Sequence, residues 1–142
     1  MKIAIIGTGN LGLSIAKGLV INNTYTTLYL TKRNLDSLEA WKDYKNVSLT
    51  TDNSEAVKQS DILIFAVQPS QFESILQEVQ HVLNEKHVII STITGFAIQR
   101  VEESIGTDYP IIRSMRNTAI SVGKSMTCLC SNTTGIKKLH IA

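Results

Sequence analysis

The chain has 142 residues, 43% of them hydrophobic and 18% charged, which suits one domain spanning residues 1–142 and is too little for two. A formal net charge of +2 gives no electrostatic footprint for nucleic acid or for a membrane surface. The longest apolar run, residues 62–67, is far too short to cross a bilayer, and Lys2 leads straight into a strand and turn, unlike a signal peptide.

In chain order, Ile3, Ala4, Ile5 and Ile6 predict a strand buried on both faces. Gly7-x-Gly9-x-x-Gly12 follows, overlapping a helical pattern over residues 10–20 with Leu11, Ile15 and Leu19 on one face. In that setting Gly7 permits a tight turn, Gly9 lets backbone approach a diphosphate without a Cβ in the way, and Gly12 lets the helix pack closely on the sheet. The first amides of such a helix lack internal partners and, with the helix dipole, form an anion site. A glycine-rich turn without a ligand is the plainer alternative; the strand before it and the helix after it favour a dinucleotide.

Residues 27–31 predict a second strand, 35–41 a short helix, 46–49 a brief strand and 54–59 another short helix. Residues 61–67 form the strongest interior strand pattern, ending at Pro69 as a turn residue. Phe72, Ile75, Leu76, Val79 and Leu83 place a sheet-covering helix over 71–83. Strands at 87–91 and 110–115 flank a helix at 97–104, and the helix-free connection to a last strand at 125–130 suggests an antiparallel final pair. Such alternation implies an α/β fold: a doubly wound, mostly parallel sheet with helices on both faces. Ligands of these sheets sit outside the carboxyl ends of the strands. That rule selects residues 8–11, 31–34, 66–69, 91–95 and 115–118.

A preference for NAD usually shows as an acid at the end of the second strand. Here Thr31, Lys32, Arg33 and Asn34 stand there, with no carboxylate until Asp36. A guanidinium can hold a 2′-phosphate through paired, charge-assisted hydrogen bonds, so Arg33 favours NADP(H) over NAD(H). A solvated loop with ordinary surface charge is the other reading. Cys128 and Cys130 share a strand face and seldom bridge in that arrangement, which suggests two reduced core thiols and a cytoplasmic setting. His81, His87 and His140 lack metal-ligand spacing, so no metal is expected. Ser70, Ser91 and Ser114 have no histidine nearby in sequence, which makes a hydrolase triad remote.

Taken together, IIGTGNLG at residues 5–12, TTDNSEAV at 50–57, FAVQP at 65–69, STITG at 91–95 and RSMRNTAI at 113–120 resemble the amino-terminal domain of pyrroline-5-carboxylate reductase. The resemblance covers nearly the whole chain. It implies a Rossmann-like fold and an oxidoreductase of proline synthesis, which reduces 1-pyrroline-5-carboxylate to proline with NAD(P)H. It also implies that Ile6, Gly7, Thr8, Gly9, Asn10 and Leu11 hold the diphosphate, and that Thr31, Lys32, Arg33 and Asn34 hold the adenosine end. Asn53 would touch the nucleotide as well. Ala66, Val67, Gln68 and Pro69 would lie along the cofactor towards the nicotinamide, as would Thr92, Ile93 and Thr94. Asn117 and Thr118 resemble a turn near the reacting end, or form a local turn held by side chain to backbone bonds.

The chain departs from the family pattern at Gln68, where lysine is common, and at Arg116 and Ala119, where proline is usual. Three roles stay open to Arg116: attracting a substrate carboxylate, obstructing the pocket, or pointing to solvent. Lys137 and Lys138 read as a solvated terminus. The family's carboxy-terminal helical domain, which makes its homo-oligomer and most of its substrate pocket, has no counterpart here. The expectation is therefore a domain that binds NADP(H) and turns over a small-molecule substrate poorly by itself. No catalytic residue is assigned. A non-catalytic nucleotide-binding module and an NADP-linked reductase of another substrate are the alternatives.

Overall fold

Alternation along the first strand sets the architecture. In β1 (Lys2–Ile6), Ile3 and Ile5 join one apolar cluster and Ala4 and Ile6 the other, and all four are buried. A strand that is apolar on both faces has to lie inside a sheet covered on both sides. The computed structural model, which describes residues 1–106, 108–116, 127–132 and 134, places it there.

The further strands are β2 (Thr27–Thr31), β3 (Val47–Thr50), β4 (Ile62–Phe65), β5 (Val88–Ser91), β6 (Ile111–Arg116) and β7 (Thr127–Ser131). Among the described residues they form one seven-stranded sheet in the order β3-β2-β1-β4-β5-β6-β7. The pairs from β3 to β6 are parallel, and β7 runs antiparallel to β6, with Ser114 opposite Leu129. The fold is thus Rossmann-like, and the antiparallel last pair is the one the sequence pattern suggests. Helix α1 (Asn10–Asn22) and a 3-10 helix (Asp36–Asp43) cover the Ile3 and Ile5 face. Helices α2 (Asn53–Lys58), α3 (Pro69–Val79) and α4 (Ile98–Ile105) cover the face of Ala4 and Ile6.

Three local differences from the sequence reading have physical causes. The segment expected as a short helix at 35–41 is a 3-10 helix over Asp36–Asp43. A 3-10 helix stacks residues three apart, so Leu38 and Trp41 both reach the core. Helix α3 begins at Pro69, expected as a turn residue, and ends at Val79; Gln80–Val82 is a 3-10 turn and Leu83 is extended. Proline suits a first helical position, because its φ is already helical and its missing N–H would have no partner there. Cys130 is an exposed free thiol, which corrects the expected core position. β7 is the outermost strand, so alternation along it no longer guarantees burial. The side chains of Arg116 and Cys128, and all of Asn117, Thr118, Ala119, Lys137, Lys138 and His140, lie outside the described residues.

The core also holds one polar hub. His87 is fully buried, with Nε2 3.0 Å from the Val57 carbonyl and Nδ1 accepting the Asn84 N–H at 3.0 Å. Because Nδ1 accepts, Nε2 carries the proton and donates to Val57. Burial pushes the His87 pKa below its ordinary value, so the ring is neutral.

Candidate functional site

The chain lays down β1, β2 and β3 outward in one direction, then returns to place β4 on the other side of β1. The loops leaving β1 and β4 therefore diverge, and a crevice opens between them at the carboxyl edge. A cavity of about 580 Å³ occupies that position, inside the range of roughly 300–1,000 Å³ usual for small-molecule sites. Its floor is Gly7, Thr8 and Gly9; one wall is Thr31, Lys32, Arg33 and Asn34; the opposite wall is Ala66, Val67 and Gln68. Asn53 also lines it.

The glycine loop is shaped by steric need. Gly7 sits at φ +88°, and a Cβ there would run into Val67 Cγ1. A Cβ on Gly12 would meet the Gly7 carbonyl oxygen, so the first turn of α1 lies against its own entry loop. A Cβ on Gly9 would meet nothing within 4 Å, because this glycine borders the open cavity. No side chain caps α1, and the amides of Asn10, Leu11 and Gly12 have no hydrogen-bond partner among the described residues. Unpartnered amides at the positive end of a helix dipole attract an anion. By contrast, the Gly7 amide donates to Thr31 Oγ1 at 3.2 Å and the Thr8 amide to the Thr31 carbonyl at 3.0 Å. The loop therefore offers its later amides outward and ties its earlier ones down.

At the end of β2 the side chains divide between solvent and structure. Arg33 is exposed and has no ion pair among the described residues. Lys32 Nζ donates to Ser37 Oγ at 2.8 Å, and Asn34 Oδ1 accepts the Asp36 N–H at 2.9 Å, closing an Asx turn. Asn34 keeps its amide donors free for other use. Asn53 is the first residue of α2, whose N-cap Asp52 accepts the Glu55 N–H at 3.1 Å. The TTDNSE segment is thus a helix start that carries Asn53 to the cavity.

Other residues singled out in the sequence lie beside the cavity and not on its wall. Ile6 is buried, with its carbonyl accepting the Ala66 N–H at 2.9 Å. Asn10 is exposed at the start of α1, Leu11 packs against the Ile3 and Ile5 cluster, and Pro69 starts α3 behind Gln68. Thr92, Ile93 and Thr94 follow β5. Thr92 donates its Oγ1–H to the Phe65 carbonyl at 2.8 Å, and Ile93 is buried in the α3 and α4 core.

Sequence reasoning missed Thr51 and one face of α3, namely Gln71, Ser74, Ile75 and Glu78, all of which line the cavity. Thr51 follows β3, whose end obeys the same strand-end rule as the others. The α3 residues recur at i, i+3, i+4 and i+7, one strip of a helix, but three of the four are polar and only Ile75 belongs to the apolar spacing that places the helix on the sheet. Lys32 and Arg33 against Glu78 leave the wall with an excess of cation. Among the described residues, no three His, Cys, Asp or Glu side chains converge as a metal site, and no helix is long and apolar enough to cross a membrane.

Comparison with known proteins gives consistent neighbours. The family described as "NADP oxidoreductase coenzyme F420-dependent" matches residues 2–95. Pyrroline-5-carboxylate reductase 2 of Dictyostelium discoideum is 39% identical over 134 residues, covering 92% of this chain and 45% of the relative. The structure of a pyrroline-5-carboxylate reductase from Coxiella burnetii superposes with a TM-score of 0.87 at 30% identity, covering 98% of this chain and 53% of that one. The Plasmodium falciparum pyrroline carboxylate reductase, solved with NADP bound, superposes with a TM-score of 0.78 at 26% identity, over 94% of this chain and 48% of its own. The chain spans about half the length of these relatives.

Proposed function

This chain belongs to the family described as NADP oxidoreductase coenzyme F420-dependent, and we propose that residues 1–142 are the NADP(H)-binding domain of a pyrroline-5-carboxylate reductase. The observation that carries the reading is that first-turn amides of α1 and an exposed Arg33, each without a partner among the described residues, stand at or beside one cavity. The residues fit the nucleotide. Gly9 leaves space where a diphosphate must approach, Asn10 and Leu11 offer it amides, and Arg33 offers a guanidinium to a 2′-phosphate. Ala66, Val67 and Gln68 line the way from the glycine loop towards β5 and its Thr92, Ile93 and Thr94. Gln68 offers hydrogen bonds there without charge.

Bound at this rim, a nicotinamide nucleotide supplies the hydride that reduces the substrate's C=N carbon, with the ring nitrogen protonated as proline forms. The chain's own contribution is binding and orientation. Orientation is worth roughly 7–11 kcal/mol in favourable model systems, and it needs a substrate pocket on the far side of the nicotinamide. The domain is therefore expected to bind nucleotide with little turnover of 1-pyrroline-5-carboxylate on its own, in a cytoplasmic and homo-oligomeric enzyme like those the family resemblance implies.

Fluorescence titration with NADPH and NADH tests the reading. NADPH is expected to bind more tightly, and Arg33→Ala to bring the two affinities together. If saturating NADPH leaves melting temperature and NMR shifts unchanged, the proposal is wrong. A second reading follows from the family description: an NADP-linked reductase of another substrate, which a substrate panel with the full-length protein separates from the first.

A further inference from the structure

Thr31 stands at the corner where the glycine loop meets the basic turn, and its polar atoms are engaged inside the protein. Its Oγ1 accepts the Gly7 N–H at 3.2 Å, and its carbonyl accepts both donors of Thr8, the N–H at 3.0 Å and the Oγ1–H at 2.9 Å. Thr31 is 1% exposed and Thr8 is fully buried. The next amide, Lys32 N–H, is held by the Thr50 carbonyl at 3.3 Å. The same paired bond recurs between β4 and β5, where Thr92 donates its N–H at 3.1 Å and its Oγ1–H at 2.8 Å to the Phe65 carbonyl. In both places a threonine just past one strand closes onto the last carbonyl of the strand beside it.

We propose that Thr31 is a positioning residue of the nucleotide site: it fixes Gly7 and Thr8 so that the following amides of α1 face the cavity, without touching the nucleotide. This rests on the reading that a nicotinamide nucleotide binds at the glycine loop. Thr31 lines the cavity and precedes Lys32 and Arg33, so it reads at first sight as a ligand of the 2′-phosphate. Its bonds and burial say otherwise. Its hydroxyl accepts from Gly7, its carbonyl is shared between two donors of one residue, and at 1% exposure the residue has almost no surface to offer a phosphate. Valine has nearly the same shape but no acceptor, so Thr31→Val would leave the Gly7 N–H unpaired. An unpaired amide of this kind turns towards another acceptor or towards water, and the loop turns with it.

Because the diphosphate is common to NADPH and NADH, the role predicts equal losses for the two. Calorimetric titration, at a temperature where each variant is folded, should show Thr31→Val weakening both by about tenfold. Thr31→Ser, which keeps the hydroxyl, should stay within about twofold of the unmodified chain. Arg33→Ala should weaken NADPH alone. Thr8→Val, which removes one of the two bonds to the Thr31 carbonyl, should weaken both nucleotides equally and by less, and it carries the test if Thr31→Val does not fold. The Gly7 amide should also lose hydrogen-exchange protection in Thr31→Val. Unchanged affinity in Thr31→Val and Thr8→Val overturns the proposal, as does a loss confined to NADPH, which would make Thr31 a direct ligand of the 2′-phosphate. Failure of the unmodified chain to bind either nucleotide overturns instead the reading on which the proposal rests.

Discussion

The three glycines of the loop make a test in which one substitution, Gly→Ala, should have three different outcomes. Gly9 is the N-cap of α1 at φ −76°, and an added Cβ meets nothing within 4 Å. Alanine is a poorer N-cap than glycine by about 0.5–1 kcal/mol, but it also restricts the unfolded chain by about 0.4–1 kcal/mol. Stability should therefore change by less than about 1 kcal/mol. The new methyl stands where a diphosphate has to approach, and displacing that group forfeits at least one charge-assisted bond, about 2 kcal/mol or roughly 30-fold in affinity. Gly7 differs, because its φ of +88° costs an L-residue about 1–3 kcal/mol. Its Cβ would also lie 3.1 Å from the Val67 Cα and N, which are backbone atoms that cannot rotate away. A loss of about 3 kcal/mol, near 10 °C in melting temperature, is expected for Gly7→Ala. Gly12→Ala should lower both stability and affinity, since its Cβ presses on the Gly7 carbonyl inside the loop. Thermal melts and NADPH titrations on the three variants decide the matter. A Gly9→Ala chain that binds NADPH normally, or melts as low as Gly7→Ala, refutes the steric reasoning.

Further expectations concern the core and its caps. Burial lowers the pKa of folded His87, so its linkage is silent above the unfolded value of about 6.5 and destabilising below it, where the unfolded ring takes up a proton ahead of the folded one. Urea midpoints should fall between pH 6.5 and 5, and His87→Gln should flatten that fall while substitution of exposed His81 should not. Phe72 is fully buried between Phe65 and Phe96, with ring centroids 5.3 and 4.7 Å away. Phe72→Ala should cost about 3–5 kcal/mol in denaturant titration, with nucleotide affinity unchanged in the fraction that stays folded. Asp52→Ala removes the N-cap of α2 and should cost about 1 kcal/mol; a melt unchanged within error would mean that the cap bond is idle.

Much of this arrangement is legible in residues whose role is set locally. Ile3 to Ile6 read as a doubly buried strand because both periodic positions are apolar, and the glycine spacing carries its own steric meaning. The strand-end rule then finds Thr31, Arg33, Ala66 and Gln68 without reference to any helix. What it misses is set by tertiary placement. Ile75 packs against the core beside Phe72, Leu76 and Val79 as its spacing predicts, but it is only partly buried, and the rotation of the helix leaves its remaining surface on the cavity wall with Gln71, Ser74 and Glu78. Cys130 fails in the opposite sense. Its alternation is correct, but the strand it sits on is the last of the sheet, and the sequence does not say which strand that is. The roles of Thr8, Thr31 and Thr92 were illegible for a third reason. Each hydroxyl bonds a backbone group on another strand, and only the strand order brings those groups together.

That third class also explains how the rim can be rigid while its ligand surface stays open to change. Bonds from Thr8 and Gly7 to Thr31, from Ala66 to Ile6, and from Thr92 to Phe65 join the exits of β2, β1, β4 and β5 in one chain. Every acceptor in that chain but one is a main-chain carbonyl, so its integrity depends on the sheet and on a few hydroxyls. Arg33 and Gln68, by contrast, are exposed and take no part in it. Substituting Arg33 should change which nucleotide the rim accepts, and substituting Gln68 should alter contacts further along the cavity, in neither case loosening the loop that presents the amides. Nucleotide choice and loop geometry are therefore separable in this fold, and Thr31, one residue before Lys32 and two before Arg33, marks the boundary between them.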